Sequence, residues 1–223
     1  MISSAQVEYW DRVAGEKTFG HPLDLELIRR LSRPGARVLD CGCGYGRLRR
    51  PLAEAGFVVI GSDPALEMAR RAKLGGMTAI AAEGARLPFA DGAFDLALLF
   101  TVLTCVPRDD DQRAIAAELS RVLGPGGVVY VSDLVLQDDE RNRRRYETDA
   151  GSSAGSGLGA YGTFRLEGAV FRHHERAWLD ALFAGFERLE VREIDVTTMN
   201  GNPARGLQWV GRVAGAVTRA GKP

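Results

Sequence analysis

The sequence lacks what would place the protein at a nucleic acid, a membrane or an oxidising compartment. Lys plus Arg and Asp plus Glu number 29 each, so no global field draws the chain towards polyanions or an anionic bilayer. No apolar run approaches the ~20 residues that a membrane span needs. The opening stretch MISSAQVEYWDRV has neither a basic start nor an apolar core, and the expectation is a soluble, cytoplasmic protein. Three cysteines, an odd number, do not make a disulfide framework and agree with a reducing compartment. At 223 residues the length suits a single α/β domain over 1–223 with a real core, not two domains.

What is present centres on residues 36–46, ARVLDCGCGYG. A short apolar run, Val38-Leu39, ends at Asp40, and Gly42, Gly44 and Gly46 follow at alternate positions. Beyond them Leu48, Leu52 and Ala55 recur at helical spacing, so the pattern predicts a strand, a tight glycine turn and a helix starting near Gly46. Such a corner binds nucleotide-type ligands, because a side chain on the turn would hold the ligand off the backbone and the helix start offers unpaired N–H groups. The dinucleotide fingerprint G-x-G-x-x-G fails at its third place, which is Arg47.

Downstream, Phe57 to Ile60 is a continuous apolar run closed by Gly61-Ser62-Asp63, as suits a parallel strand covered on both faces. Asp63 lies 21 residues beyond Gly42, the distance at which a carboxylate meets ribose hydroxyls; the alternative is an N-cap for the helix at Ala65–Lys73. Strands are further expected at Met77–Ala82, Phe94–Phe100, Val128–Ser132, Leu189–Val196 and Gly206–Arg212. A helix capped by Asp109–Asp111 ends at Gly124-Pro125-Gly126-Gly127, and another covers Glu175–Phe183.

The set Asp40-x-Gly42-x-Gly44-x-Gly46, Asp63, Glu83 four places before Leu87-Pro88-Phe89, Phe94-Asp95, and Glu118 to Gly127 resembles, in order and over roughly 36–133, the motifs of class I S-adenosylmethionine-dependent methyltransferases of the type 11 kind. The resemblance implies a Rossmann-like fold: a seven-stranded, mostly parallel sheet with an antiparallel last strand and helices on both faces. It implies S-adenosyl-L-methionine as cofactor. The expected binding set is Asp40 for the donor's ammonium, Gly42, Cys43, Gly44 and Gly46 in the turn, and Arg47 for the carboxylate. Asp63 and Pro64 are expected at the ribose, Glu83, Gly84 and Ala85 at the adenine, and Phe100 at the end of strand four. No Asp/Asn/Ser-Pro-Pro-aromatic signature follows that strand, and Cys105-Val106-Pro107 reverses the Pro-Cys order of cytosine C5 enzymes, so nucleic-acid bases are disfavoured as acceptors. Cys41, Cys43 and Cys105 fall at the ends of strands that are neighbours in this fold; they are read as small tolerated residues, and no metal is expected.

In the resembling family, N-terminal helices like those of 1–31 lie over the cofactor, with Tyr9 and Trp10 as lid residues or as core aromatics. An insertion after strand five, here 134–172, is expected to cap the substrate. It joins an arginine-rich helix (Arg141, Arg143, Arg144, Arg145) to a Gly/Ser-rich loop, Gly151–Gly162, read as mobile. The connection Thr197 to Pro203 should line the acceptor pocket, and the tail after Val213 is expected to fray. If the acceptor must lose a proton, His173, His174 and Tyr161 are the candidate catalytic side chains. The expected function is methyl transfer to a small-molecule acceptor, an anionic one if the arginines serve it, with no membrane partner. A non-catalytic cofactor-binding module, a methyltransferase acting on RNA or protein, and a nucleotide-dependent oxidoreductase stand as alternatives.

Overall fold

The computed structural model describes residues 3–152 and 161–214. Most of the Gly/Ser-rich stretch and the C-terminal tail beyond 214 therefore lie outside the described residues. Among the described residues nine strands form: β1 Arg37–Cys41, β2 Val58–Asp63, β3 Thr78–Ala81, β4 Phe94–Phe100, β5 Leu123–Leu134, β6 Thr163–Leu166, β7 Ala169–Arg172, β8 Phe186–Thr197 and β9 Pro203–Val213. Seven of them make one sheet in the order β3-β2-β1-β4-β5-β9-β8. Neighbours from β3 to β5 are parallel, while β9 is antiparallel to both β5 and β8. This is the expected mostly parallel sheet with a reversed last strand.

Alternation along the central strands decides which helix each face receives. Leu39, Ala97, Leu99, Val129 and Val131 point to one side, where they meet Ile115 and Leu119 of α5 (Asp109–Val122) and Leu179 of α7 (Arg176–Leu182). Val38, Leu96, Leu98, Val128 and Tyr130 point to the other and meet Leu27 and Ile28 of α2 (Leu25–Leu31) and Leu52 of α3 (Arg49–Glu54). Each fully buried leucine here contributes roughly 1.5–3 kcal/mol relative to exposure. Acidic residues at 109–111 sit in the first turn of α5, where the helix dipole favours them.

Several local expectations are corrected: β5 starts at Leu123, so the expected turn Gly124 to Gly127 lies inside the strand, and β9 starts at Pro203 rather than Gly206. The helix after the glycine turn starts at Arg49 rather than near Gly46, because Gly42, Gly44 and Gly46 all hold positive φ (+74°, +54° and +83°) and such a run cannot be helical. Strand β8 begins at Phe186, before Leu189.

Above the strand ends sits a second, smaller assembly. It contains α1 (Ser4–Val13), α6 (Glu140–Ser152) and the antiparallel hairpin β6-β7, which the sequence reading did not anticipate. Tyr9 and Val13 of α1, Tyr146 of α6, and Phe164, Ala169 and Phe171 of the hairpin form its core. Gln6 adds a two-way bond across 164 residues of sequence: its Nε2 donates to Val170 O at 3.0 Å and its Oε1 accepts from Val170 N at 3.0 Å. Of the N-terminal segment 1–31, then, α1 belongs to this upper layer and α2 to the sheet.

Candidate functional site

The carboxyl ends of β1, β2 and β4 open onto a cavity of about 100 Å³. Its floor is the glycine turn, anchored where the N–H groups of Gly42 and Cys43 both donate to Ser62 O (2.7 and 3.0 Å). A Cβ at Gly42 would stand 2.3 Å from Val102 Cγ2, so only glycine fits both the φ and the space. Gly46 does not face the cavity; a Cβ there would meet Ala72 of α4 (Leu66–Leu74) at 3.2 Å, so this glycine permits close helix packing. The other expected cofactor residues, Asp40, Gly42, Cys43, Gly44, Arg47, Asp63, Pro64, Glu83, Gly84, Ala85 and Phe100, all line the cavity.

Asp40 is 2% exposed, and its Oδ2 has no hydrogen-bond partner. Burial pushes its pKa up to about 7, opposed by the nearby Arg47 guanidinium and assisted by Asp63. Asp63 is held firmly: Oδ2 accepts from Gly44 N and Oδ1 from Ala65 N, both at 2.9 Å. These bonds fasten the glycine turn to the start of α4. Burial raises Asp63 to about 6, although both backbone bonds oppose the shift. The guanidinium of Arg47 lies 5.9 Å over the Phe100 ring, and burial lowers its pKa against the pull of Asp40. The thiols carry no charge into the cavity: burial raises Cys41 to about 12 and moves Cys43 and Cys105 upward too. Among the described residues no His/Cys/Asp/Glu group is arranged to hold a metal.

A second cavity of about 80 Å³ adjoins the first. Trp10, Phe19, Thr101 and Cys105 line both and form the shared wall. Its far side is made by Arg141, Asn142 and Arg145 of α6, by Phe164, Phe171 and His173, and by Thr197, Thr198, Met199, Asn200 and Asn202 of the β8–β9 connection. Trp10 therefore reaches both cavities, while Tyr9 is 2% exposed and packs edge-on against Phe171.

The three candidate catalytic side chains separate in space. His173 lines the second cavity, with Nδ1 2.6 Å from Tyr146 Oη, and burial lowers its pKa to about 3. His174 is 0% exposed and lines neither cavity. Its Nε2 is 2.8 Å from Gln112 Nε2, while Gln112 Oε1 accepts from Trp178 Nε1 at 2.6 Å. Tyr161 is 50% exposed, touches the Tyr146 ring and also lines neither cavity.

His21, which the sequence reading did not single out, also lines the second cavity. Its Nδ1 lies 2.9 Å from Ser132 Oγ, and Nε2 is buried without a partner. Burial, with Arg47 adding to it, lowers this imidazole to about 4. No local pattern signals a histidine that reaches its place through the packing of distant segments.

Comparison with known proteins points the same way as the geometry. Residues 39–131 match the family model described as Methyltransferase domain. An O-methyltransferase, rstn1, from Aspergillus nomiae is 34% identical over 149 residues, 61% of this chain and 65% of that protein. A ubiquinone biosynthesis O-methyltransferase from Xanthomonas oryzae pv. oryzae is 32% identical over 136 residues, 56% of each chain. The chain thus spans less than two thirds of the length of these curated relatives. A SAM-dependent methyltransferase of known structure from Methanosarcina mazei superposes with a TM-score of 0.79 at 25% identity, covering 86% of this chain and 99% of that one.

Proposed function

We propose, for a chain whose residues 39–131 match the family model described as Methyltransferase domain, that it binds S-adenosylmethionine in the first cavity and methylates a small molecule held in the second. The observation that carries this reading is Asp40. A carboxylate that is 2% exposed, with one oxygen partnerless at a cavity wall, is expensive unless a cation meets it. The cofactor brings an ammonium of that kind. The glycine turn beside it admits a ligand against bare backbone.

S-Adenosylmethionine, when bound, would supply a sulfonium methyl already activated for transfer to the acceptor. The chain's own residues bind, align and exclude water. Asp40 is placed for the ammonium and Arg47 for the carboxylate. Asp63, whose oxygens each keep a second lone pair beyond the bonds to Gly44 and Ala65, is placed for ribose hydroxyls. Glu83 can accept from an adenine amine beside Gly84 and Ala85. Trp10, Phe19, Thr101 and Cys105 stand where the two ligands would meet, so they fix the line of attack and keep the aperture dry. In this reading α1 and the insertion 134–172 together form the substrate cap.

Calorimetry with S-adenosylhomocysteine and with a dinucleotide tests the cofactor. Tighter binding of the dinucleotide would overturn the assignment. A metabolite screen with labelled methyl donor tests turnover; label appearing only in RNA or protein would remove the small-molecule acceptor, and absence of any turnover with the cofactor bound would leave a binding module.

A further inference from the structure

The second cavity carries a charge pattern that identifies its occupant more closely, and this step rests on the reading just given. Among the described residues its lining contains two arginines, Arg141 and Arg145, and no aspartate or glutamate. Two acids lie near the cavity without lining it. Asp133 lies behind Thr104, accepting from its hydroxyl and from the N–H groups of Leu103 and Leu134. Asp139, just before α6, accepts from Asn142 Nδ2 at 2.5 Å and pairs with Arg141 at 3.9 Å, so it offsets part of that arginine's charge from outside the lining and leaves no acid within it.

His173 joins the arginines as a third donor, because the protein fixes which nitrogen bears its proton. Gln137 N–H donates to Tyr146 Oη at 3.2 Å. That leaves the single phenol proton to serve the other neighbour, His173 Nδ1, 2.6 Å away. Were Nδ1 protonated instead, the buried Tyr146 O–H would have nowhere to donate, at a cost of about 1–3 kcal/mol. His173 therefore accepts at Nδ1 and bears its hydrogen on Nε2. Burial keeps the ring neutral at ordinary pH, and Tyr146 is raised to about 12, so its proton stays on.

Besides the mostly polar β8–β9 connection, the wall carries an aromatic group: Phe164 and Phe171 stack at 5.9 Å and 25°, Arg145 lies 4.5 Å over Phe164, and Trp10 meets Phe19 and Phe171 edge-on. The geometry points to a small aromatic acid as the acceptor, its carboxylate held by His173 Nε2–H with Arg141 and Arg145, and its reacting atom at the opposite end. The ends are assigned by the walls. Arg141, Arg145 and His173 line the second cavity only, whereas Trp10, Phe19, Thr101 and Cys105 line both. The anion is thus an anchor rather than the nucleophile, and His173 is a positioning donor rather than a base.

The probes are benzoate and its neutral isostere benzamide, titrated by ligand-observed NMR with and without S-adenosylhomocysteine. Benzoate should bind roughly tenfold or more tightly than benzamide, the scale of a hydrogen bond to a charged group. His173→Gln, whose amide N–H can stand in for Nε2–H, should keep that preference and His173→Phe should lose it. Arg141→Gln, at a half-exposed side chain that leaves the fold intact, should shrink it several-fold. Equal affinity for the two probes in the unaltered protein overturns the proposal. So does a His173→Gln variant that folds yet has lost the preference as fully as His173→Phe. Failure of S-adenosylhomocysteine to bind sinks the cofactor reading instead, and the titration without it still reads the chamber alone.

Discussion

The two cavities share a wall but are built by opposite means. The first is made mostly of residues close together in sequence at the carboxyl ends of neighbouring strands: Asp40 to Gly44, Arg47-Leu48, Asp63-Pro64, Glu83 to Ala85, and Phe100 to Val102. The second draws on residues from Trp10 to Ala204, brought together by long-range ties such as Gln6 to Val170. The first has buried carboxylates that await a cation, while the second has arginines and neutral imidazoles. A cofactor-type ligand can be met by a short glycine-bearing backbone corner, whereas a particular acceptor needs a surface assembled from distant segments.

The largest effect should come from Asp40. Asp40→Asn keeps the shape and removes the charge, and should weaken S-adenosylhomocysteine binding by about 3 kcal/mol, roughly 100-fold. The benzoate preference of the second cavity should be unaffected. Loss of both would show that the cavities form one cooperative unit, and the contrast between them would fall.

Asp63→Ala should follow, costing about 2 kcal/mol in cofactor affinity. Unlike Asp40, Asp63 also pins the turn through Gly44 and Ala65, so this variant should lower the melting temperature of the unliganded protein as well. Affinity unchanged by calorimetry would reduce Asp63 to a structural brace of the glycine turn.

A smaller effect separates the cavities by pH. Asp40 and Asp63 are raised to about 7 and about 6. The folded state binds their protons more tightly than the unfolded chain, so the stability they lend is full below about pH 4 and is lost as pH rises to 7. His21 and His173 are lowered to about 4 and about 3. Their contribution is full above pH 6.5 and is lost as pH falls towards 3. In scanning calorimetry of the unliganded protein, Asp40→Asn should therefore gain on the unaltered protein as pH rises from 4 to 7, and His173→Gln should gain as pH falls below 6.5. Parallel curves for either variant would contradict the burial that sets these shifts.

How much of this was legible follows from the same contrast. The apolar runs ending in Asp40 and Asp63 are local signals, since a buried parallel strand must be apolar throughout and its end must carry the ligand groups. Most of the sheet could be read that way, and the eleven cavity-lining positions followed from the resemblance of the motifs at the strand ends. Gly46 shows the limit: spacing marks a glycine but does not say whether ligand or helix needs the room. The hairpin β6-β7 was missed because its strands are only four residues each and adjoin a Gly/Ser-rich stretch. His21, the separation of His173 from His174, and the Tyr146 bond to His173 depend on packing between segments more than 25 residues apart, and no window along the chain contains that information.

The smallest expected effect is that of salt, and it tests whether α6 serves the second cavity or an outside polyanion. Arg141 and Arg145 are one helical turn apart and line the cavity, whereas Arg144 pairs with Glu140 on another side. Arg143 and Arg144 do not line the cavity, so the four arginines do not act on it as a single basic track. An RNA backbone held by all four would give a slope of about −0.7 per contact in log affinity against log salt, near −3 in total. A single carboxylate in a partly buried chamber should give a slope of magnitude about 1 or less, because few counterions are released. Arg144→Ala should change nothing in that assay, while Arg141→Gln should weaken the acceptor and leave S-adenosylhomocysteine binding alone. A steep slope, or equal losses from Arg144→Ala and Arg141→Gln, would mean that the helix faces a polyanion and that the second cavity does not choose the acceptor.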